Sequence, residues 1–240
     1  MPRSYSVTDI GRKRKMNQDY VFATDSPIGG LDNLYIVADG MGGHNAGEYA
    51  SAFSVEELKD LVVELGQAEI EIILHRALQE VNRRLRTVAA SDSRYYGMGT
   101  TIVIATVRGG ILYVANVGDS RLYLKKNRLR QITVDHSLVE EMVLAGTLDQ
   151  KKARTHPDKN VITRAIGAED TLEIDFFREK VTEGNIVLMC SDGLTNMVED
   201  SEIEEILGSS RSLEDAGGQL LEKANDNGGS DNISVLLVKI

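Results

Sequence analysis

Leu34-Tyr35-Ile36-Val37-Ala38-Asp39-Gly40-Met41-Gly42-Gly43-His44-Asn45-Ala46-Gly47 is the stretch on which the reading of this chain turns. Its first five residues are apolar and rich in Val, Ile, Tyr and Leu, too few for a helix, and they read as a strand buried on both faces. Such a strand delivers the next residue to the rim of a sheet, and here that residue is the carboxylate of Asp39. Gly40 can adopt backbone angles that a side chain forbids, so the chain can turn sharply and leave Asp39 and a backbone carbonyl facing one space. That space could hold a hard cation, but Asp-Gly is also the commonest hairpin turn signal, and on its own the pair favours the turn. Repetition decides between the two.

The phrase recurs. Ile186 to Ser191 form a second apolar run that breaks into Asp192-Gly193, and Ile111 to Val117 form a third, broken by Gly118-Asp119-Ser120. Near the termini, Asn17-Gln18-Asp19 precedes the apolar Tyr20 to Ala23, and Ser230-Asp231-Asn232 precedes Ile233 to Val238. Five aspartates at strand boundaries would crowd one rim with mutually repelling charge unless cations neutralise it, which favours a multi-metal carboxylate site.

The chain has 240 residues, of which 42% are hydrophobic, enough for a substantial packed core. Its three prolines are scattered and no Ser/Gly/Pro-rich linker divides it, so residues 1–240 are expected to form a single domain. A net charge of -10 argues against nucleic acid or an anionic membrane as the main partner, while leaving room for an anionic substrate held by local cations. The lone cysteine, Cys190, sits inside an apolar run, cannot form an intramolecular disulfide and reads as a small core residue. No apolar signal-peptide core and no run of membrane-spanning length is present, and the expectation is a cytoplasmic protein without membrane insertion.

In chain order, Tyr5 to Ile10, Tyr20 to Thr24 and Leu34 to Ala38 read as strands, with the basic run Arg12-Lys13-Arg14-Lys15 as a turn between the first two. A single arginine of that run, brought back beside the rim, would offer a planar fork to two phosphate oxygens. Ala50 to Leu65 and Ile70 to Val88 carry helical apolar spacing, and His75 lies beside the second stripe as a boundary residue. Strand patterns resume at Thr100 to Val107, Ile111 to Val117, Ser120 to Leu124 and Leu129 to Val134, an antiparallel meander. Asp135-His136-Ser137 is expected to cap a helix over Leu138 to Ala145, and residues 146–160 form a charged surface excursion. Strand-like runs follow at Val161 to Ile166, Leu172 to Val181 and Ile186 to Ser191. Helices at Asp200 to Leu207 and Leu213 to Asn225 and a last strand from Asn232 to Lys239 complete the chain. Two helix pairs segregated around many strands imply an α+β fold: two mostly antiparallel sheets packed face to face, flanked by helices, a four-layer αββα sandwich.

The glycine-rich Gly40-Met-Gly-Gly-His-Asn45 lacks the Gly-Lys-Ser/Thr ending of a P-loop, and Asn45 stands where the dinucleotide fingerprint needs Gly or Ala. His44, His75, His136 and His156 have no i, i+4 partner and Cys190 no thiol neighbour, so a zinc site is disfavoured and the oxygen-rich set points to Mn²⁺ or Mg²⁺.

Arg14-Lys-Met-Asn17-Gln-Asp19, Asp39-Gly-Met-Gly-Gly, Gly99-Thr-Thr, Gly118-Asp119-Ser-Arg, Asp135-His-Ser, Ser191-Asp-Gly and Asp231-Asn-Ile-Ser occur here in sequence. Their order and spacing resemble the metal-dependent PPM (type 2C) serine/threonine protein phosphatases, in the short bacterial form. The resemblance runs from about Thr8 to the C-terminus. It implies that Asp39 bridges two Mn²⁺ or Mg²⁺ ions, that the Gly40 carbonyl ligates one, and that Asp19, Asp192 and Asp231 complete their shells. It further implies that Asp119 serves a third, weaker ion, that Arg14 clamps the substrate phosphate, and that residues 140–165 form a flap near the entrance. Many eukaryotic members have His in place of Met41 as the leaving-group acid, which leaves a metal-bound water as the expected proton donor here. The implied reaction is hydrolysis of phosphoserine and phosphothreonine in proteins by a water shared between two metals, opposing a bacterial Ser/Thr kinase and acting on its substrates. Two rivals remain: a catalytically silent phosphoprotein-binding domain, against which the retention of the metal aspartates and Arg14 argues, and a phosphatase for small phosphometabolites.

Overall fold

The computed structural model describes residues 2–43 and 45–240; His44, weighed above as a zinc ligand, lies outside them. Strands β1 (Arg3–Asp9), β2 (Asp19–Thr24) and β3 (Leu34–Met41) lead into helices α1 (Ala46–Leu65) and α2 (Ile70–Ser91). Then come β4 (Gly99–Thr100), β5 (Ile102–Arg108), β6 (Ile111–Val117), β7 (Arg121–Lys125) and β8 (Leu129–Gln131), followed by α3 (Leu138–Leu144) and α4 (Gln150–Ala153). Strands β9 (Asp175–Lys180) and β10 (Ile186–Cys190), helices α5 (Asp192–Thr195), α6 (Asp200–Ser209) and α7 (Leu213–Asp226), and β11 (Ile233–Lys239) complete the order.

The strands form two sheets, β1-β11-β10-β7-β8 and β2-β3-β5-β6-β9, with β4 paired to the end of β3, and every pairing is antiparallel. The two-residue period of a strand explains the layering. On β3, Tyr35 and Val37 point into the space between the sheets, while Leu34, Ile36 and Ala38 point outward against α1 and α2. On β11, Leu236 and Val238 face inward to meet them, and Val235 and Leu237 pack outward with Leu220 and Ala224 of α7. Both faces of each central strand are therefore covered, which is why these strands read as continuous apolar runs rather than alternating ones. The result is the four-layer αββα sandwich.

The same alternation positions the site. Asp39 follows Tyr35 and Val37 in the inward-facing series, and Asp19 is its direct cross-strand partner, in series with the inward-packed Val21 and Ala23. Two carboxylates thus sit side by side where the inter-sheet layer opens at its end.

Two expectations need correction. Val161 to Ile166 is not a strand: Ile162 and Ile166 make only isolated bridges to Ser137 and Thr100. The strand expected from Leu172 begins only at Asp175. Upstream of it, Gly167, Glu169 and Leu172 are held by the side chains of Asn82 and Gln79 on α2, and those bonds replace a ladder. The basic run is a turn, as expected, since β1 has already ended at Asp9. Cys190 is fully buried, as its apolar setting implies, and His75 is exposed at the edge of α2. Among the described residues no helix is long and apolar enough to cross a membrane.

Candidate metal centre

The end of β3 is held through its backbone. Asp39 donates its N–H to Thr101 Oγ1 at 3.1 Å, and its carbonyl accepts from Thr101 N and Thr100 Oγ1, both at 2.9 Å. Gly40 donates to the Gln18 carbonyl at 3.0 Å. A Cβ on Gly40 would come within 2.0 Å of the Gly47 carbonyl and 2.7 Å of the Gln18 carbonyl, so no side chain is admissible there. The glycine after Asp39 is required by the close approach of α1 and the segment before β2.

The remaining aspartates arrive at the same rim from separate elements. Asp19 is the first residue of β2, and its Oδ2 accepts from Ser191 Oγ at 2.7 Å. Asp192 opens α5, and its Oδ2 accepts from Asn196 Nδ2 at 2.9 Å. Asp119 follows the turn after β6 and is 7% exposed. Asp231 precedes β11; one of its oxygens accepts from Asn232 N at 2.8 Å and the other from Arg14 Nη2 at 2.7 Å.

These carboxylates feel one another. Burial, followed by the charges of Asp19, Asp192, Asp119 and Asp231, pushes the Asp39 carboxyl well above the ordinary carboxylate range. Burial raises Asp19 to about 7 against the opposing hydrogen bonds from Ser191 and Ser234, and burial with the Asp231 charge raises Asp192 to about 6. Asp119 is likewise raised, by burial and by Asp192 and Asp135. Concentrated negative charge with insufficient solvation is the common cause.

Among the described residues no three His, Cys, Asp or Glu side chains close up into a ready-made metal-binding group. The test of fit therefore rests on the donor atoms. Asp19 Oδ1, Asp119 Oδ1 and Asp192 Oδ1 are all buried without a hydrogen-bond partner. Native structures rarely leave buried polar atoms unpaired, and three carboxylate oxygens orphaned around one space form a donor set suited to Mg²⁺ or Mn²⁺. The residues present fit such ions.

Around this rim lie groups that sequence reasoning passed over. Asn232 accepts from Gln18 N and donates to the Ile10 and Met16 carbonyls, so one amide ties the turn carrying Arg14 to the start of β11. That staple, with Arg12 N donating to the Gly229 carbonyl at 2.7 Å, explains how Arg14 reaches the rim. Ser191, fully buried, bridges Asp19 and the Ser234 amide. Each of these is a short polar residue beside an apolar run, and that was the available signal. Arg121 is bound by both oxygens of Asp135 at 2.7–3.0 Å.

Two side chains from residues 140–165 reach the C-terminal end of α5. Arg154 Nη2 donates to the Thr195 carbonyl at 3.0 Å and pairs with Glu199, and Lys159 Nζ donates to Asn196 Oδ1 at 3.2 Å. Beneath them a cavity of about 50 Å³ is lined by Asp119, Asp192, Arg154, Lys159 and Asn196, among others.

Known proteins share this fold. The sequence profile of the family described as protein phosphatase 2C matches residues 11–237. The serine/threonine phosphatase stp of Listeria monocytogenes is 45% identical over 239 residues, covering 97% of this chain and 93% of that protein. The protein phosphatase PhpP of Streptococcus pneumoniae is 39% identical, covering 98% and 96%. Among solved structures, serine/threonine phosphatase Stp1 from Staphylococcus aureus superposes with a TM-score of 0.92 at 36% identity, covering 100% of this chain and 95% of that one. The catalytic domain of serine threonine protein phosphatase PstP, solved in complex with two manganese ions, superposes with a TM-score of 0.87 at 30% identity, covering 99% and 97%. With the profile spanning nearly the whole length and the fold shared throughout, the chain belongs to the protein phosphatase 2C family, in the short bacterial form of its serine/threonine phosphatases.

Proposed function

We propose that this protein is a Mn²⁺- or Mg²⁺-dependent phosphatase that removes phosphate from phosphoserine and phosphothreonine in cytoplasmic proteins, opposing a Ser/Thr kinase. In this reading residues 1–240 act as one catalytic domain, with residues 140–165 as the flap beside its entrance. The observation that carries it is the set of three buried, unpartnered carboxylate oxygens beside Arg14. Asp39, the Gly40 carbonyl, Asp19, Asp192 and Asp231 are assigned to two core ions and Asp119 to a third, weaker one. Divalent ions held there would supply the positive charge that makes a water nucleophilic near neutral pH and offsets the charge on the phosphoryl oxygens.

The chain's own contribution is placement. Asp19 and Asp39 are fixed opposite one another by strand register, and Thr100 and Thr101 lock the Asp39 backbone, so little reorganisation accompanies the reaction. Arg14 is 50% exposed while one of its nitrogens is bound to Asp231, which leaves further N–H donors of the fork facing solvent at the rim. Those donors suit two phosphoryl oxygens at once, and the pairing with Asp231 keeps the fork aimed. Met41, next to Gly40, brings no titratable group, so proton delivery to the leaving Ser or Thr oxygen falls to water in the site.

Phosphate release from a phosphothreonine peptide, measured with Mn²⁺, with Mg²⁺ and after exhaustive chelation, tests this reading. Turnover should require the ion and return on its re-addition. Full turnover in the chelated protein would overturn it.

A further inference from the structure

The triplet Asp135-His136-Ser137 carries a helix start, but only Ser137 caps α3, its Oγ accepting from Glu140 N. His136 is 5% exposed and turns the other way, onto Gly118. Its N–H donates to the Gly118 carbonyl at 3.0 Å, and the Gly118 N–H donates to His136 Nδ1, also at 3.0 Å. Both backbone polar groups of one glycine are thus paired with one histidine. Because Nδ1 accepts from Gly118, the ring proton is assigned to Nε2, which lies 3.1 Å from Asp175 Oδ2 and 3.3 Å from Arg164 Nη1. Asp175 is in turn bound by Arg164 Nη1 at 3.0 Å. The His136 carbonyl accepts from Thr163 N at 2.9 Å, near the end of residues 140–165.

Gly118 is no ordinary turn residue. Its φ is +105°, and a Cβ there would lie 2.5 Å from Thr101 Cβ, in the residue that also holds Asp39. It immediately precedes Asp119, whose Oδ1 is buried and unpartnered. Whatever fixes the Gly118 backbone therefore fixes the direction in which Asp119 leaves it.

We propose that His136 is the positioning residue for Asp119. Held in the neutral Nε2–H tautomer by Asp175, it grips Gly118 by both backbone groups, aims the Asp119 carboxylate at the weaker ion position, and ties that position to the returning flap through Thr163. The proposal rests on the reading of Asp119 given above.

The test is calorimetric Mn²⁺ titration of the full chain and of His136→Asn, His136→Gln, His136→Ala and Asp119→Ala, with thermal unfolding of each recorded alongside. Asparagine places its carbonyl oxygen near the position of Nδ1 and keeps the acceptor for Gly118 N–H, whereas glutamine places it near Nε2 and does not. The expected result is a weaker class of Mn²⁺ binding that survives in His136→Asn and weakens by about 5- to 150-fold in His136→Gln and His136→Ala, the cost of an unpaired buried N–H. The tight class should be unchanged in all four variants. A merely structural histidine would lower stability in all three substitutions without separating Asn from Gln. Equal weakening in His136→Asn and His136→Gln, or none in either, overturns the proposal. If Asp119→Ala retains the weaker class, the assignment of Asp119 itself fails, and the role of His136 with it.

Discussion

The middle of the inter-sheet layer and its open end are built by the same strands, yet they obey opposite rules. In the middle, Tyr35, Val37, Val103, Leu122, Met189 and Leu236 are buried and apolar. A few residues further along β3, and just beyond the end of β10, the chain places Asp39 and Asp192, with Asp19 directly opposite Asp39. Like charges directly across a strand pair are destabilising, and three of the rim oxygens have no partner at all. A sequence under selection for stability alone would not put aspartates there. The middle holds the sheets together, and the end stores charge repulsion that a divalent ion can relieve.

Substitutions in the two regions should therefore have opposite signatures. In the middle, Leu236→Ala should cost about 2–5 kcal/mol of folding stability through the cavity it leaves, while the molecules that remain folded keep their catalytic rate; urea unfolding beside active-site-normalised turnover checks both. At the rim, Asp39→Asn should lower kcat/KM by about 10²- to 10³-fold and make the metal-free protein more stable, since it removes one of several repelling buried charges. Wild-type turnover in that variant would remove Asp39 from the centre of the site. Arg14→Ala should cost about 10- to 150-fold in kcat/KM for a phosphomonoester, carried mostly by KM because the phosphate is dianionic in both ground and transition states. Arg12→Ala, on the same turn but without the Asp231 pairing, is the control and should cost little. The assignment breaks if Arg12→Ala is the more damaging of the two.

The middle was more legible in the sequence than the end. Leu34 to Ala38 and Ile186 to Cys190 read as doubly buried strands because burial on two faces forces an unbroken apolar run, and α2 read as a helix because one face alone is buried at Ile73, Leu74, Ala77, Leu78 and Val81. Asp39 and Asp192 stood out as carboxylates ending such runs. Asn232, Ser191 and His136 did not, since what distinguishes them is a partner more than ten residues away, which polarity patterns do not record. Val161 to Ile166 misled for the complementary reason: its composition suits a strand, but its backbone meets Ser137 and Thr100 only at single bridges. Arg14 stands out only through the resemblance carried by Arg14-Lys-Met-Asn17-Gln-Asp19, although the turn that delivers it depends on Asn232, at the far end of the chain.

The central claim is that the rim carboxylates form one repelling cluster that divalent ions neutralise, and the pH dependence of stability tests it most directly. The folded-state values of Asp19, raised to about 7, and Asp192, raised to about 6, lie above the 3.8 of an unperturbed aspartate. Between roughly pH 4 and 7 the folded protein therefore binds more protons than the unfolded chain, and stability falls as pH rises through the folded values. Surface carboxylates held low by arginine, such as Glu80 at about 2, act below that window and with the opposite sign. Urea unfolding of the chelated protein at pH 5 and pH 8, repeated at pH 8 with Mn²⁺, should show lower stability at pH 8 without the ion and recovery beyond the pH 5 value with it. A chelated protein as stable at pH 8 as at pH 5, and indifferent to Mn²⁺, would contradict the account.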